Sequence, residues 1–105
     1  SSVSSDILEA ELVKILKQSG LNKVDPNKSV PQYFVYYGAV TDYGVNKSFE
    51  HGLAIFIYDV DKQKKVYRFF STYEDEEPDA YTSAMSIVKN FIKDWPGDKI
   101  SEQSF

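Results

Sequence analysis

The sequence predicts an α+β fold in which two helices pack on one face of a three-stranded antiparallel sheet. The main observation is the stretch 53–73, where two apolar, aromatic-rich runs flank a polar patch, as in a β-hairpin. Helical patterns stand near both ends of the chain, and the connections between elements are short. The resulting order, α-β-β-β-α, favours an antiparallel meander in a two-layer sandwich.

The two helices are predicted from apolar residues at helical spacing. The first spans 5–19, has its apolar stripe at Leu8, Leu12, Ile15 and Leu16, and ends at Gly20. The second runs from Pro78, in its first turn, to about Asp94, where Pro96 and Gly97 stop it. Its predicted buried stripe comprises Tyr81, Ala84, Met85, Val88, Phe91, Ile92 and Trp95.

The three strands are predicted over 33–43, 53–58 and 66–73, with a connection at 44–52 and a hairpin turn at 59–65. Gly38 suggests a bulge in the first strand or a close approach by another segment. The second strand is apolar on both sides, as is typical of a central strand. Two helices can cover only one face of the sheet. We therefore expect the other face to be covered either by a part of this chain, such as the C-terminal tail, or by a partner.

Composition predicts a single domain over 1–105, with a mobile leader at 1–4 and a loose tail at 98–105. The chain is 42% hydrophobic and 15% aromatic, which is enough for a core built largely from rings. Its net charge of −4 argues against a general nucleic-acid binder. No apolar run approaches a membrane span, and the absence of Cys excludes disulfides and thiolate chemistry.

The element order, with Pro31, Tyr33 and Phe49 ahead of strands, resembles the topology of the double-stranded-RNA-binding domain. That family places a basic cluster at the start of its second helix, where it contacts phosphates. This chain has acidic residues at the corresponding place, so the resemblance implies the order of the elements and not RNA binding.

No residue pattern nominates a catalytic or metal site, and we predict neither enzyme activity nor a cofactor. The single histidine, His51, lies in a predicted loop beside Glu50, without an evident nucleophile or orienting partner. The Asp59-Val60-Asp61 segment lacks the Gly and closing Glu of a calcium loop. The alternative is a small ligand-binding or enzymatic cup lined by His51 with Glu50 or Asp42.

An acidic run before the second helix is one candidate for partner binding. It comprises Glu74, Asp75, Glu76, Glu77 and Asp79. These carboxylates could face a basic partner, as in an inhibitor or immunity-type protein. The simpler interpretation is a solvated loop whose charges complement the positive end of the helix dipole.

The aromatic excess of the sheet is the other candidate. An exposed apolar patch of a few hundred Å² usually marks an interface, and Tyr is enriched at interfaces. The alternative is that Tyr simply suits a half-exposed sheet. The aromatic residues assigned to partner binding are Tyr33, Tyr37, Phe56, Tyr58 and Tyr67.

Together these observations predict a non-catalytic, acidic interaction domain that binds a protein partner or a second copy of itself. One form of this hypothesis places it in the soluble part of a bacterial surface or lipid-anchored protein, and therefore outside the cell. The other form is a cytosolic inhibitor of a basic partner.

Overall fold

Two helices and three strands follow one another in the predicted order in a computed structural model that describes residues 5–43, 48–97 and 100. The elements are α1 (Ser5–Gln18), β1 (Tyr33–Tyr43), β2 (Phe49–Asp59), β3 (Lys64–Asp75) and α2 (Ala80–Asp94). The strands form one antiparallel sheet in the order β1-β2-β3. This confirms the predicted α+β class and the meander.

The central position of β2 explains why it is apolar on both sides. It pairs with β1 along its whole length, from Tyr43 opposite Phe49 to Tyr33 opposite Asp59. It pairs with β3 across a four-residue turn, in which Gln63 takes a left-handed backbone conformation with φ of 53°. The Asp59 side chain closes this turn by accepting a hydrogen bond from the Lys62 backbone N–H at 3.0 Å.

Two details of the predicted sheet are wrong. β2 begins at Phe49 and not at residue 53, because 49–52 continue the pairing with both neighbours. The irregularity lies not at Gly38, which pairs regularly with Ala54, but in β3. There the register shifts and Val66 becomes the extra residue, with its side chain fully buried in the core.

The core lies between the helices and one face of the sheet. Leu53, Ile55 and Ile57 point into it from β2, and α1 contributes Leu8, Leu12 and Ile15. The stripe of α2 is rotated from the predicted one: Ile87 is buried and Ile92 is half exposed. Helix α2 also begins two residues later than predicted, because Asp79 is its N-cap and accepts a hydrogen bond from the Thr82 N–H at 3.0 Å.

A polar contact joins the C-terminal ends of the two helices. The Trp95 indole Nε1 donates to the Ser19 hydroxyl at 2.7 Å, and each of these residues directly follows its helix. Beyond this contact, Ile100 is buried within the core, although it falls in the segment predicted to be a loose tail. The predicted leader at 1–4 and residues 98–99 and 101–105 of the predicted tail lie outside the described residues.

Tyr67 lies at the centre of an aromatic cluster beneath α2. Its ring is 5% exposed and makes edge-on contacts with Phe91 and Trp95, at centroid distances of 5.9 and 5.2 Å. Its hydroxyl donates to the Asp94 carboxylate at 2.7 Å. Burial, and then the hydrogen bond and negative charge of Asp94, raise the pKa of Tyr67 far above its usual value.

We expect Tyr67→Phe to lower the free energy of unfolding by about 1 kcal/mol at pH 8, where it removes one hydrogen bond. Above pH 10 this difference should shrink. Tyr67 in the unfolded wild-type chain ionises there while the folded one stays protonated, which costs the wild type about 1.4 kcal/mol per pH unit. Urea denaturation of both proteins at pH 8 and pH 11 tests this, and an unchanged difference would contradict it.

Candidate functional site

The side of the sheet that faces away from the helices, called the open face below, is the candidate site. Side chains alternate along a strand, so the even-numbered residues of β1 and β2 point to this side. Pairing aligns them into five rows across the strands: Phe34, Tyr58 and Lys65; Tyr36, Phe56 and Arg68; Gly38, Ala54 and Phe70; Val40, Gly52 and Thr72; Asp42, Glu50 and Glu74.

The first three rows form a band of exposed rings. Tyr36 and Phe70 are 57% and 61% exposed, and Phe34 is exposed as well. The Phe34 and Tyr36 rings lie 6.3 Å apart on the same edge strand. No element in the described ranges 5–43 and 48–97 covers this band, since both helices contribute to the core on the other side. The band is therefore a contiguous apolar surface in contact with solvent.

The middle of the open face is shaped by its two glycines. At Gly52 a Cβ atom would lie 3.1 Å from the Phe70 ring and 3.2 Å from Val40, so both side chains lean over the central strand there. Gly38 has open space above it, and a shallow hollow of about 270 Å³ lies there between Tyr36, Val40 and Phe56. The surface thus has raised rings next to a depression.

Charge on the open face is sorted by sign along the strands. Lys65 and Arg68 lie in the first two rows, and the Lys65 ammonium is 4.6 Å from the centroid of the Phe56 ring. The last row consists of the three exposed carboxylates Asp42, Glu50 and Glu74. One end of the open face is therefore basic and the other acidic.

The structure divides the aromatic residues predicted to bind a partner. Phe56 and Tyr58 lie on the open face, whereas Tyr33 and Tyr37 lie half-buried on the helix side. The prediction that Tyr67 binds a partner is wrong, because its side chain belongs to the core and not to an exposed surface. Sequence reasoning left Phe34, Tyr36 and Phe70 out of the predicted site. The alternation within each strand points to them once the strand register is known.

The acidic run is also divided, because three of its five members stabilise the turn between β3 and α2. Asp75 accepts from the Glu77 N–H at 2.9 Å, and Glu77 accepts from the Asp79 N–H at 3.0 Å. Asp79 caps α2. Glu74 and Glu76 are exposed, and Glu74 belongs to the acidic row of the open face. The run therefore serves the fold at three positions.

The sequence predicts a loop position for His51, and this prediction is wrong. His51 is a buried residue of β2 and is 1% exposed. Its Nε2 lies 2.5 Å from the Glu77 carbonyl oxygen and 3.2 Å from the Asp75 carboxylate. Its Nδ1 lies 2.9 Å from the Thr41 hydroxyl. Because both neighbours of Nε2 are acceptors, that nitrogen carries a proton, and Thr41 can donate to a neutral ring or accept from a charged one.

These contacts connect three elements through one ring. His51 joins β2 to Thr41 of β1 and to Glu77 in the turn before α2. Asp75, the last residue of β3, also accepts from the Ser83 hydroxyl of α2 at 3.2 Å. Both ring nitrogens are engaged and the ring does not face solvent. This arrangement suits a structural histidine better than the catalytic one of the predicted cup.

A larger cavity lies elsewhere, between α1, the connection 20–32 and β1. Its volume is about 500 Å³, and apolar side chains such as Leu12, Leu16 and Val35 line much of it. Neither His51 nor Glu50 nor Asp42 lines it, so the predicted cup around His51 does not coincide with this cavity.

No protein family, no curated protein and no solved structure matches this chain. None of the helices within the described residues has the length and apolar character needed to cross a membrane. The same part of the chain holds no group of three or more acidic or histidine side chains that could bind a metal ion. The function of the chain is therefore inferred from the surfaces described above.

We expect His51→Ala to lower the free energy of unfolding by about 2–4 kcal/mol. It removes the bonds to Thr41, Asp75 and Glu77 and leaves a cavity where a buried ring was. Glu50→Ala is the matched control, because Glu50 is the exposed neighbour in the same strand and should change stability by less than about 0.5 kcal/mol. Urea denaturation measures both, and similar values for the two variants would contradict the structural role of His51.

Proposed function

We propose that this domain is a non-catalytic protein-interaction module that binds through the open face of its sheet. The observation that carries the proposal is the exposed aromatic band, in which Phe34, Tyr36 and Phe70 stand in solvent next to Phe56 and Tyr58. Aromatic side chains lose little conformational entropy on binding and bury a large area, which makes them typical anchors of protein interfaces.

The arrangement around the band supports the same conclusion. Protein interfaces usually combine an apolar centre with a polar rim. Here the rings occupy the first three rows, Lys65 and Arg68 lie beside them on the edge strand β3, and the carboxylates form the fifth row. The hollow above Gly38 supplies relief into which a side chain of a partner could fit.

The acidic run supports the alternative, an inhibitor-type contact with a basic partner, less well. Asp75, Glu77 and Asp79 are engaged in the turn and the helix cap, so the run cannot present all five carboxylates together. The two exposed members of the run are Glu74 and Glu76, and Glu74 lies on the open face. We therefore assign the contact to the open face, with the acidic row as its rim.

A photo-crosslinking amino acid placed on either side of the sheet tests the proposal. The variant Tyr36→p-benzoylphenylalanine carries the probe on the open face, and Tyr73→p-benzoylphenylalanine carries it on the helix side, where Tyr73 is also exposed. We expect irradiation of the cells that make the protein to give a discrete protein adduct at position 36 and little at position 73.

Mass spectrometry of the adduct identifies the occupant of the face. Equal adduct formation at both positions, or none at position 36, would overturn the proposal. Circular dichroism of the purified variants provides the folding control, since both replaced tyrosines are exposed and neither substitution should change the fold.

A further inference from the structure

We infer that the occupant of the open face is a second copy of this chain, packed face to face about a twofold axis that runs across the strands. This inference rests on the proposed function, because it names the partner of that surface. It follows from the distribution of charge on the face and from the area available.

Charge selects both the partner and its orientation. The face carries Lys65 and Arg68 at one end and Asp42, Glu50 and Glu74 at the other. A second copy turned end for end would place the basic end of each chain over the acidic end of the other. Such a surface is complementary to itself, as a twofold interface between identical chains requires.

Geometry then limits the position of the axis. A twofold axis that joins two sheets face to face lies in the plane between them, and for aligned sheets it runs close to the strand direction or close to the direction across the strands. An axis along the strands would put each row over the same row of the other copy, so that Asp42 and Glu74 would face each other. An axis across the strands, through the row of Gly38, Ala54 and Phe70, avoids this repulsion.

That axis also fixes which side chains lie opposite each other. β3 lies over β3 of the other copy in the reverse direction, so Phe70 is near its own copy and Lys65 is opposite Glu74. The Tyr36 and Phe56 row comes over the row of Val40 and Gly52. The Val40 and Phe70 side chains lean over Gly52 in that row, so the contact there is between rings and side chains, at the aligned packing angle of about 30° usual for two sheets.

The available area fits a reversible dimer. Three strands at about 4.8 Å spacing and 11 residues at about 3.3 Å give a face of roughly 14 by 36 Å. Two such faces bury on the order of 1,000 Å² together, which is near the lower limit for a specific interface. We therefore expect a dissociation constant on the order of micromolar and not an obligate dimer.

A second copy also accounts for the acidic row, which the isolated chain leaves unexplained. Asp42, Glu50 and Glu74 lie side by side across three strands, and like charges directly opposite each other destabilise a sheet. Lys65 of the same chain cannot reach them, because nine residues of strand separate it from Glu74 by roughly 30 Å. In the twofold arrangement Lys65 of the second copy would lie opposite Glu74, and the Tyr58 ring of the second copy would lie opposite Glu50.

Two charge reversals test the inference in the purified full chain by sedimentation equilibrium from about 1 µM to 1 mM. Lys65→Glu should raise the dimer dissociation constant at least about tenfold, because both ends of the interface then carry carboxylates against carboxylates. Glu74→Lys should do the same with ammonium groups. Both residues are exposed, and circular dichroism and urea denaturation check that the variants fold.

The decisive measurement is an equimolar mixture of the two variants. In a heterodimer the two substituted positions face each other with opposite charges, and the native Lys65 of one chain faces the native Glu74 of the other. Heterodimers should therefore form with nearly the wild-type dissociation constant. The mixture restores association only if residues 65 and 74 of different chains are opposite each other. A matched control, Lys17→Glu on the exposed side of α1, should leave dimerisation unchanged.

Other outcomes overturn the inference without removing the proposed function. A wild-type chain that stays monomeric up to 1 mM would exclude the dimer, and so would variants that dimerise as well as the wild type, which would indicate an edge-to-edge contact. In either case, an adduct between position 36 and a different protein would still support binding at the open face. If the chain neither dimerises nor gives an adduct at position 36, the proposed function is overturned as well.

Discussion

The constraint on which this structure depends is the alternation of side chains along β2. The strand is central, and its odd-numbered residues Leu53, Ile55 and Ile57 provide much of the sheet's share of the core. Alternation then places Ala54, Phe56 and Tyr58 on the other side. Both helices are engaged in covering the odd-numbered side. Among residues 5–43, 48–97 and 100, one apolar central strand and two helices thus leave an apolar face open.

The His51 contacts hold the turn that leads from β3 into α2. The chain must turn sharply after β3 to enter α2, and the turn is held by the His51 ring through the Glu77 carbonyl and the Asp75 carboxylate. Asp75 in turn accepts from Ser83 in the first turns of α2. The buried His51 ring costs little because both of its nitrogens have partners. Among the described residues, no buried side-chain nitrogen or oxygen lacks one. The open face and the stabilising network therefore lie on opposite sides of the same strand.

Local sequence signals predicted the elements well and their mutual alignment poorly. Periodicity and Gly20 located α1, and the polar turn between two apolar runs located the hairpin. The role of His51 was not predictable, since its partners lie 10 to 26 residues away and meet only after the strands pair. For the same reason Tyr67 was assigned to the surface: alternation gives two sides, but only the bulge at Val66 and the packing of α2 decide which side is buried. The rows of the open face likewise required the register.

The arrangement of charges distinguishes this face from an ordinary half-exposed sheet. If Tyr and Phe stood on the open face only because they suit strands, the charged residues around them would serve solubility alone. Positive and negative side chains could then be mixed along the strands. Instead the cations lie at one end of the strands and the carboxylates at the other, with no charged residue in the two rows between Arg68 and the acidic row. Sorting by sign places like charges side by side in the acidic row, and under the proposed function it favours a partner that is itself oriented. A second copy, reversed in direction, has the required orientation without any additional specificity in the sequence.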